Sequence, residues 1–351
     1  MGDLFVGRSI TTSPLQFFPL RQKLFRYFAP LYPWAFERFD LRRYDLIVSS
    51  TTSWAKGVRC RADALHICYI NNVSRFLCED EHYVTALLTA HLPSFSKRLV
   101  RDFAQPMLDR LIAWDLQAAA RPSAFIANSH NVARRVRQYY GRDAFVLPCP
   151  VDVDKFVVGQ GAGGYALVIS RLLPYKRIDL AIDACREVDM PLVVIGGGPA
   201  AASLRAQADG ANVQFLGEVD DTTRQRVLAD AAVVLLPGQE DFGLVPLEAA
   251  AAGRPTIALR AGGALETLRE GITGAYFDVP QAASLAQALR EFRVGDFDPQ
   301  RLRLHALEFS PERFIERLHD LVARIQRGET APSPSSIGAA GSAPHSLQEP
   351  S

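Results

Sequence analysis

No stretch of this 351-residue chain stays apolar for the ~18–20 residues that a membrane-spanning helix needs. The opening residues carry no secretory signal pattern. Cysteine is scarce: Cys60, Cys68, Cys78, Cys149 and Cys185 are odd in number, scattered, and without a CxxC pair. That leaves no disulfide framework and fits a reduced, cytoplasmic setting. Net charge is almost absent as well, at +1 from 39 Lys and Arg against 38 Asp and Glu. The balance hides a split. Residues 1–150 hold 20 basic and 12 acidic side chains, or +8, and the remainder holds 19 and 26, or −7. A basic half beside an acidic half points to an anionic partner for the first. What is plentiful is apolar: 48% of residues are hydrophobic and 22% charged, ordinary for a soluble protein with large cores. The length fits two domains.

From about residue 165 the pattern is regular. YALVISR (165–171), PLVVIG (191–196), VQFLG (213–217), VVLLPG (233–238) and PTIAL (255–259) read as strands. Helical periodicity fills the gaps, as in KRIDLAIDACREV (176–188), TTRQRVLADA (222–231), GLVPLEAAAAG (243–253) and ALETLREG (264–271). Short buried strands alternating with helices mean a parallel sheet covered on both faces. Such a sheet binds ligands beyond the carboxyl ends of its strands. The first half is less regular, with strands at YDLIVSS (44–50), LHICYI (65–70), AFIANS (124–129) and FVLPCP (145–150), and a helix at VARRVRQYYG (132–141). The domain plan is therefore α/β, with a smaller Rossmann-like unit over 1–158, a second over 159–310, a closing helix over 311–327 and a disordered Pro/Ser/Gly-rich tail over 328–351.

The loops after the strands carry the chemistry. In SRLLPYKR (170–177), Arg171 ends a strand and Lys176 is expected to open a helix, so two cations and the helix N–H groups surround one anion-sized space. A solvated basic turn is the plainer alternative. In VVIGGGPAA (193–201), Gly197 and its neighbours let the backbone approach a ligand. Gly196, Gly198 and Ala201 also match G-x-G-x-x-A with Glu218 twenty residues on, the fingerprint of a dinucleotide-dependent oxidoreductase. That fingerprint belongs after the first strand of its domain, where SRLLPYKR stands instead. EDFGLVPLE (240–248) places Glu240 and Asp241 in a loop, Gly243 at a helix start, and Glu248 one to two turns inside. Both glutamates can point into the cleft above the sheet, where carboxylates accept pairs of sugar hydroxyls. Helix-start acids plus a surface Glu are the alternative, but AAAAG implies that this helix packs tightly.

Other features weigh less. DVD at 152–154 matches the D-x-D of metal-dependent sugar transferases, yet its setting in PVDVDKF is turn chemistry. CEDEH (78–82) reads as a solvated acidic turn, since consecutive residues cannot all face one metal. Residues 17–39 interleave aromatics with Arg21, Lys23, Arg26 and Arg38, and SFSKRLVRDF (94–103) repeats the mixture. Such segments can lie on an anionic bilayer surface, where a lipid-linked acceptor would be met. Nucleic acid as a partner is disfavoured by the near-neutral balance of the whole chain.

Taken in order, SRLLPYKRIDLAI, VVIGGGP, FLGEV, EDFGLVPLEAAAAGRP and GGALETLREGITGAYF resemble glycosyltransferase family 4, of the GT-B fold. The first half adds ERFDLRRYDLIVSS, AKGVR, HICY, FIANSHNVARRVRQYYG and PCPVDVDKF, closest to the bacterial mannosyltransferases of polysaccharide assembly. The resemblance implies a retaining transfer from a nucleoside diphosphate sugar, such as GDP-mannose, to a glycan or lipid-linked acceptor. Arg171 and Lys176 would hold the diphosphate and stabilise the departing charge. Glu240 would contact the donor sugar and Glu248 the ribose. Phe242, Gly243 and Leu244 would line the sugar–phosphate pocket, with Gly197 and Asp241 beside them, and Gly217, Glu218 and Val219 would border the base. No metal and no separate cofactor is implied. The expected location is cytoplasmic, at or near the inner face of the membrane.

Two departures stand against that pattern. Family members begin with a strand and a glycine-rich loop well upstream of YDLIVSS, so the first domain is expected to lack its first βα unit. Where relatives often carry His after HICY, this chain has Asn71 and Asn72, and Asn71 is the expected sugar contact in its place. The alternative reading is therefore a family member that binds a nucleotide sugar but is catalytically impaired.

Overall fold

The computed structural model describes residues 7–18, 25–74, 94–159, 161 and 163–332. CEDEH (78–82), the end of the tail (333–351) and residues 19–24 of the basic aromatic segment lie outside them, as does the chain's start, where a first βα unit was expected to be lacking. Four strands, β1 (Leu46–Thr51), β2 (Leu65–Ile70), β3 (Ala124–Ala127) and β4 (Ala144–Val146), make a parallel sheet in sequence order. With them go helices α1 (Tyr32–Glu37), α2 (Ser94–Ala118) and α3 (His130–Tyr140). The second sheet contains β5 (Ala166–Ile169), β6 (Leu192–Ile195), β7 (Val213–Gly217), β8 (Val233–Leu236), β9 (Thr256–Leu259) and β10 (Gly274–Phe277). Its helices are α4 (Ile178–Glu187), α5 (Ala201–Gln207), α6 (Asp221–Asp230), α7 (Leu244–Ala251), α8 (Ala264–Thr267), α9 (Ala282–Glu291) and α10 (Pro299–Leu307). The last helix is α11 (Pro311–Gln326).

The second sheet is parallel throughout, in the order β10-β9-β8-β5-β6-β7. Its central strands LVVI and VVLL are buried on every residue, which is why they read as continuous apolar runs rather than alternations. The chain leaves β5 towards β6 and returns to add β8 on β5's other side. The loops after β5 and β8 thus flank the point where strand order reverses, the crevice in which sheets of this type hold ligands.

Helix α11 begins at Ser310, whose hydroxyl caps the Arg313 amide. Its apolar face is turned to the first domain. Leu321 and Ile325 pack with Ile67, Ile126, Phe145 and Leu147 of the first sheet, and Phe314 meets Tyr69 edge to face at 5.8 Å. The helix therefore straps the second domain back onto the first.

Local readings hold with small shifts. Lys176 was expected to open a helix; it sits instead in the 3-10 turn Pro174–Lys176, and α4 starts at Ile178 after Arg177 takes a left-handed φ of 52°. Pro174 presets that turn, so the apolar periodicity began two residues late. The sequence reading extended a helix over ALETLREG, whereas α8 stops at Thr267. Among the described residues, four cysteines are free, and no helix is long and apolar enough to cross a membrane.

Candidate active site

Lys176 and Glu240 are 64 positions apart and meet above the second sheet, with Lys176 Nζ at 2.5 Å from each Glu240 carboxylate oxygen. Strand pairing brings them together. Lys176 is on the loop after β5 and Glu240 on the loop after β8, and β5 and β8 are neighbours. Gly238 permits the contact, because a Cβ there would lie 2.7 Å from the carbonyl oxygens of Tyr175 and Lys176. The side chains of Lys176 and Glu240 are 15% and 21% exposed, so the pair is open to a ligand yet poorly screened. Arg171, on the same loop, is exposed, and its side chain has no ion-pair or hydrogen-bond partner among the described residues. One cation is held at the acid and the other is uncommitted.

The glycine loop after β6 closes against this region. Leu172 N donates to Gly197 O at 2.9 Å, Gly196 N donates to Gly217 O at 2.8 Å, and a Cβ on Gly196 would fall 1.9 Å from Ser170 O. Glu218 lies against Gly197, where its carboxylate would be 3.0 Å from an added Cβ. So Gly197, Gly217 and Glu218 border one loop cluster, with Val219 next along the chain. The glycines permit close approach of neighbouring loops, which also accounts for the G-x-G-x-x-A match.

Phe242 is buried against Phe309, Gly243 caps α7 at a φ of 89°, and Leu244 opens that helix, half exposed. The first amides of a helix have no intrahelical partner. Those of Phe242, Gly243 and Leu244 donate to no other described backbone group. At the end of α7 and its C-cap, Ala249 to Ala252 are at most 1% exposed and pack against Leu302 and Ala306 of α10. That packing fixes the rotation of α7 and with it the direction of Glu248. Glu248 is 8% exposed and is paired with Arg224 of α6. Burial pushes its carboxyl above the usual carboxylate range, and the Arg224 guanidinium opposes the rise.

Asp241 faces the other domain. Its carboxylate accepts from Arg135 Nη1 at 2.7 Å and from Asn72 Nδ2 at 2.9 Å, and its carbonyl accepts from Ser129 Oγ at 2.8 Å. Glu266, just past the Gly262–Gly263 turn, accepts from the His130 and Asn131 amides at 2.7 and 2.9 Å, capping the start of α3 from across the cleft. Asn71 makes no hydrogen bond to Asp241 among the described residues. Its amide is 3.5 Å from Ser50 Oγ, and it is Asn72 that reaches the EDF loop. DVD is a turn: Asp152 pairs with Lys155 at 3.2 Å, and Asp154 is 3.4 Å from Arg303.

Sequence reasoning located Lys176, Glu240, Glu248 and the glycine loops, but not Arg135, Ser129, Glu266 or Arg224. Ser129 had a signal, as a helix cap inside FIANSHN. Arg135 and Arg224 had none, since Arg135 is one of three arginines on its helix and Arg224 one of two.

Two family descriptions match consecutive parts of the chain: Glycosyltransferase Family 4 over residues 4–155 and Glycosyl transferases group 1 over residues 155–304. Relatives include a D-rhamnosyltransferase of Pseudomonas aeruginosa, 28% identical over 60% of this chain and 59% of that protein. A D-inositol 3-phosphate glycosyltransferase of Geodermatophilus obscurus is 28% identical over 73% and 65%. A phosphatidyl-myo-inositol mannosyltransferase of Mycobacterium leprae is 32% identical over 47% and 48%. The chain thus spans about half to two thirds of the length of these relatives. Similar solved structures are sucrose-phosphate synthase from Thermosynechococcus elongatus, at TM-score 0.67, 18% identity, and 91% and 86% coverage, and HepE of Anabaena with UDP-glucose, at 0.61, 18%, and 90% and 85%.

Proposed function

The chain belongs to glycosyltransferase family 4 and has the GT-B fold, and from that premise we propose that it moves a hexose from a nucleoside diphosphate sugar to an acceptor hydroxyl with retention at the anomeric carbon. Mannose from GDP-mannose is the donor we favour, and a glycan or lipid-linked sugar the acceptor. The observation that carries the reading is the Lys176–Glu240 pair at the strand-order switch point, with Arg171 uncommitted beside it.

In this reading the sugar–phosphate bond breaks as negative charge gathers on the departing diphosphate. Lys176, Arg171 and the free amides at the start of α7 face that charge and take the place a metal would otherwise fill. Glu240 shares Lys176 with the diphosphate and accepts from the sugar's hydroxyls, which fixes the ring over the leaving group. Glu248 accepts from the ribose. The acceptor oxygen attacks from the face the phosphate leaves, and a phosphate oxygen takes its proton, so no protein nucleophile is needed. The acceptor enters from the first domain, where Trp34 is 45% exposed and Arg38 lies over its ring at 5.1 Å. That basic aromatic surface suits a lipid-linked acceptor at the inner face of a membrane.

The test is transfer from radiolabelled GDP-mannose, UDP-glucose and UDP-N-acetylglucosamine to lipid and glycan extracts, with Glu240→Gln and Lys176→Ala as controls. Product from the wild type and its loss in both variants is expected. Near-normal turnover by either variant would sink the assignment. Donor binding without transfer to any acceptor would leave a binding protein instead.

A further inference from the structure

Arg224 is the cation that Glu248 meets, and it comes from a different helix. Asp220 caps α6 by accepting from the Thr223 amide at 2.7 Å, which sets the first turn and points position 224 towards α7. Arg224 Nη2 donates to Glu248 Oε2, and this is the one side-chain hydrogen bond Arg224 makes among the described residues. Glu248 Oε1 accepts from no described group. One carboxylate oxygen is therefore held, and its twin is left for a further donor.

We propose that Arg224 is a positioning residue for donor binding: it keeps Glu248 a charged acceptor and turns its second oxygen towards a ribose hydroxyl. The proposal rests on the reading of Glu248 as the ribose-binding acid. Its physical basis is that a carboxylate with 10% of its side chain exposed is costly to keep ionised unless a partner faces it. Burial raises the Glu248 carboxyl, and Asp221, also on α6, adds to the rise, while Arg224 opposes both. Other elements packed on α7 do not supply a second cation. Arg303 of α10 is spent on Phe156 O and Ala251 O, and His305 on Thr267 O. Asp154 and Lys155 of the turn beneath α7 pair with Arg303 and Asp152. Glu266 of α8 caps α3. β8 and β9 contribute VVLL and TIAL, without a charge.

Removing Arg224 therefore leaves a carboxyl that takes up a proton at higher pH, and donor affinity falls away sooner as pH drops. The experiment is calorimetric titration of UDP and of GDP into wild type, Arg224→Gln, Arg224→Lys and Glu248→Gln between pH 8 and 5.5, with thermal melts alongside. Arg224→Gln is expected to weaken nucleotide binding by about tenfold near pH 7, as the loss of a charge-assisted bond should, and by less at pH 8. Arg224→Lys is expected to bind with intermediate affinity and the wild-type pH midpoint. Wild-type affinity and profile in Arg224→Gln, beside weakened Glu248→Gln, overturns the role of Arg224 and leaves the ribose reading standing. Equal weakening at every pH, not relieved by Lys, shows a structural role and also overturns it. Unchanged binding in Glu248→Gln removes the ribose reading itself. Should Arg224→Gln not fold, Arg224→Lys decides, and full wild-type affinity there overturns the proposal.

Discussion

Arg135 of the first domain donates to Asp241 of the second at 2.7 Å, so the residue next to Glu240 is held by the opposite side of the cleft. Asn72 binds the other oxygen of the same carboxylate, and Glu266 reaches back to cap α3. The EDF loop and the start of α3 are thus fastened at both ends of a short seam.

If that seam sets the distance between domains, Arg135→Ala and Asp241→Asn should lower kcat by about tenfold, or ~1.4 kcal/mol. The pair is 27% and 30% exposed, so its effect on overall stability is discounted for solvent, to under about 1 kcal/mol. Small-angle scattering should register a larger radius of gyration in both variants. Wild-type kcat with an unchanged scattering curve would show that the seam does not govern domain placement.

Lys176 and Glu240 should behave as one unit. Each single change, Lys176→Met or Glu240→Gln, is expected to reduce turnover by about 10²–10³-fold. The double variant should be far less than the product of the two, because either loss already breaks the arrangement. Fully additive effects in the cycle would mean that the two side chains act separately.

Gly238→Ala should impair turnover without touching a charged group. Its Cβ would meet backbone oxygens at 2.7 Å, which cannot rotate away, so the loop carrying Lys176 must shift. Overpacking of this kind costs about 1–3 kcal/mol, visible as a lower melting temperature. Gly295→Ala, where nothing lies within 4 Å, is the control and should be silent. A normal rate in Gly238→Ala would show that the loop tolerates the displacement.

Stability should fall on mild acidification. His66 is fully buried between strands, with Nε2 at 2.8 Å from Ser49 Oγ and Nδ1 unpartnered, and burial pushes its pKa down to about 4. The unfolded chain takes up this proton near the ordinary ~6.5, so below that pH protonation favours unfolding until the folded value is reached. The cost approaches about 3 kcal/mol at the lower end of that window. His305, also held down by burial, acts in the same sense. Chemical denaturation between pH 7 and 4.5 should show the decline, and His66→Gln should flatten part of it. An unaltered slope in that variant would place the titration elsewhere.

Much of the site was legible because short-range rules fix it. Strand-loop-helix punctuation placed Lys176, Glu240 and Glu248 at the carboxyl ends of β5 and β8 and on the helix that follows. The glycine doublets announced close backbone approach. The error at Lys176 came from a two-residue offset, since Pro174 starts a 3-10 turn before the apolar periodicity of α4 begins. The place of Asn72 in the seam was not legible, because neighbours at a strand end point opposite ways and the sequence does not say which of them faces the cleft.

By itself the sequence determined the parallel α/β plan, the place of the loops and the identity of the charged groups, since periodicity, helix caps and glycine φ requirements act over a few residues. Only the tertiary structure decided which charges meet. Lys176 finds Glu240 because strand order makes β5 and β8 neighbours. Glu248 finds Arg224 because small alanines let α7 seat at one rotation. Asp241 is drawn to Arg135 because α11 straps the second domain onto the first. Contacts between residues 24 to 106 positions apart depend on strand order and helix packing, which no local pattern encodes.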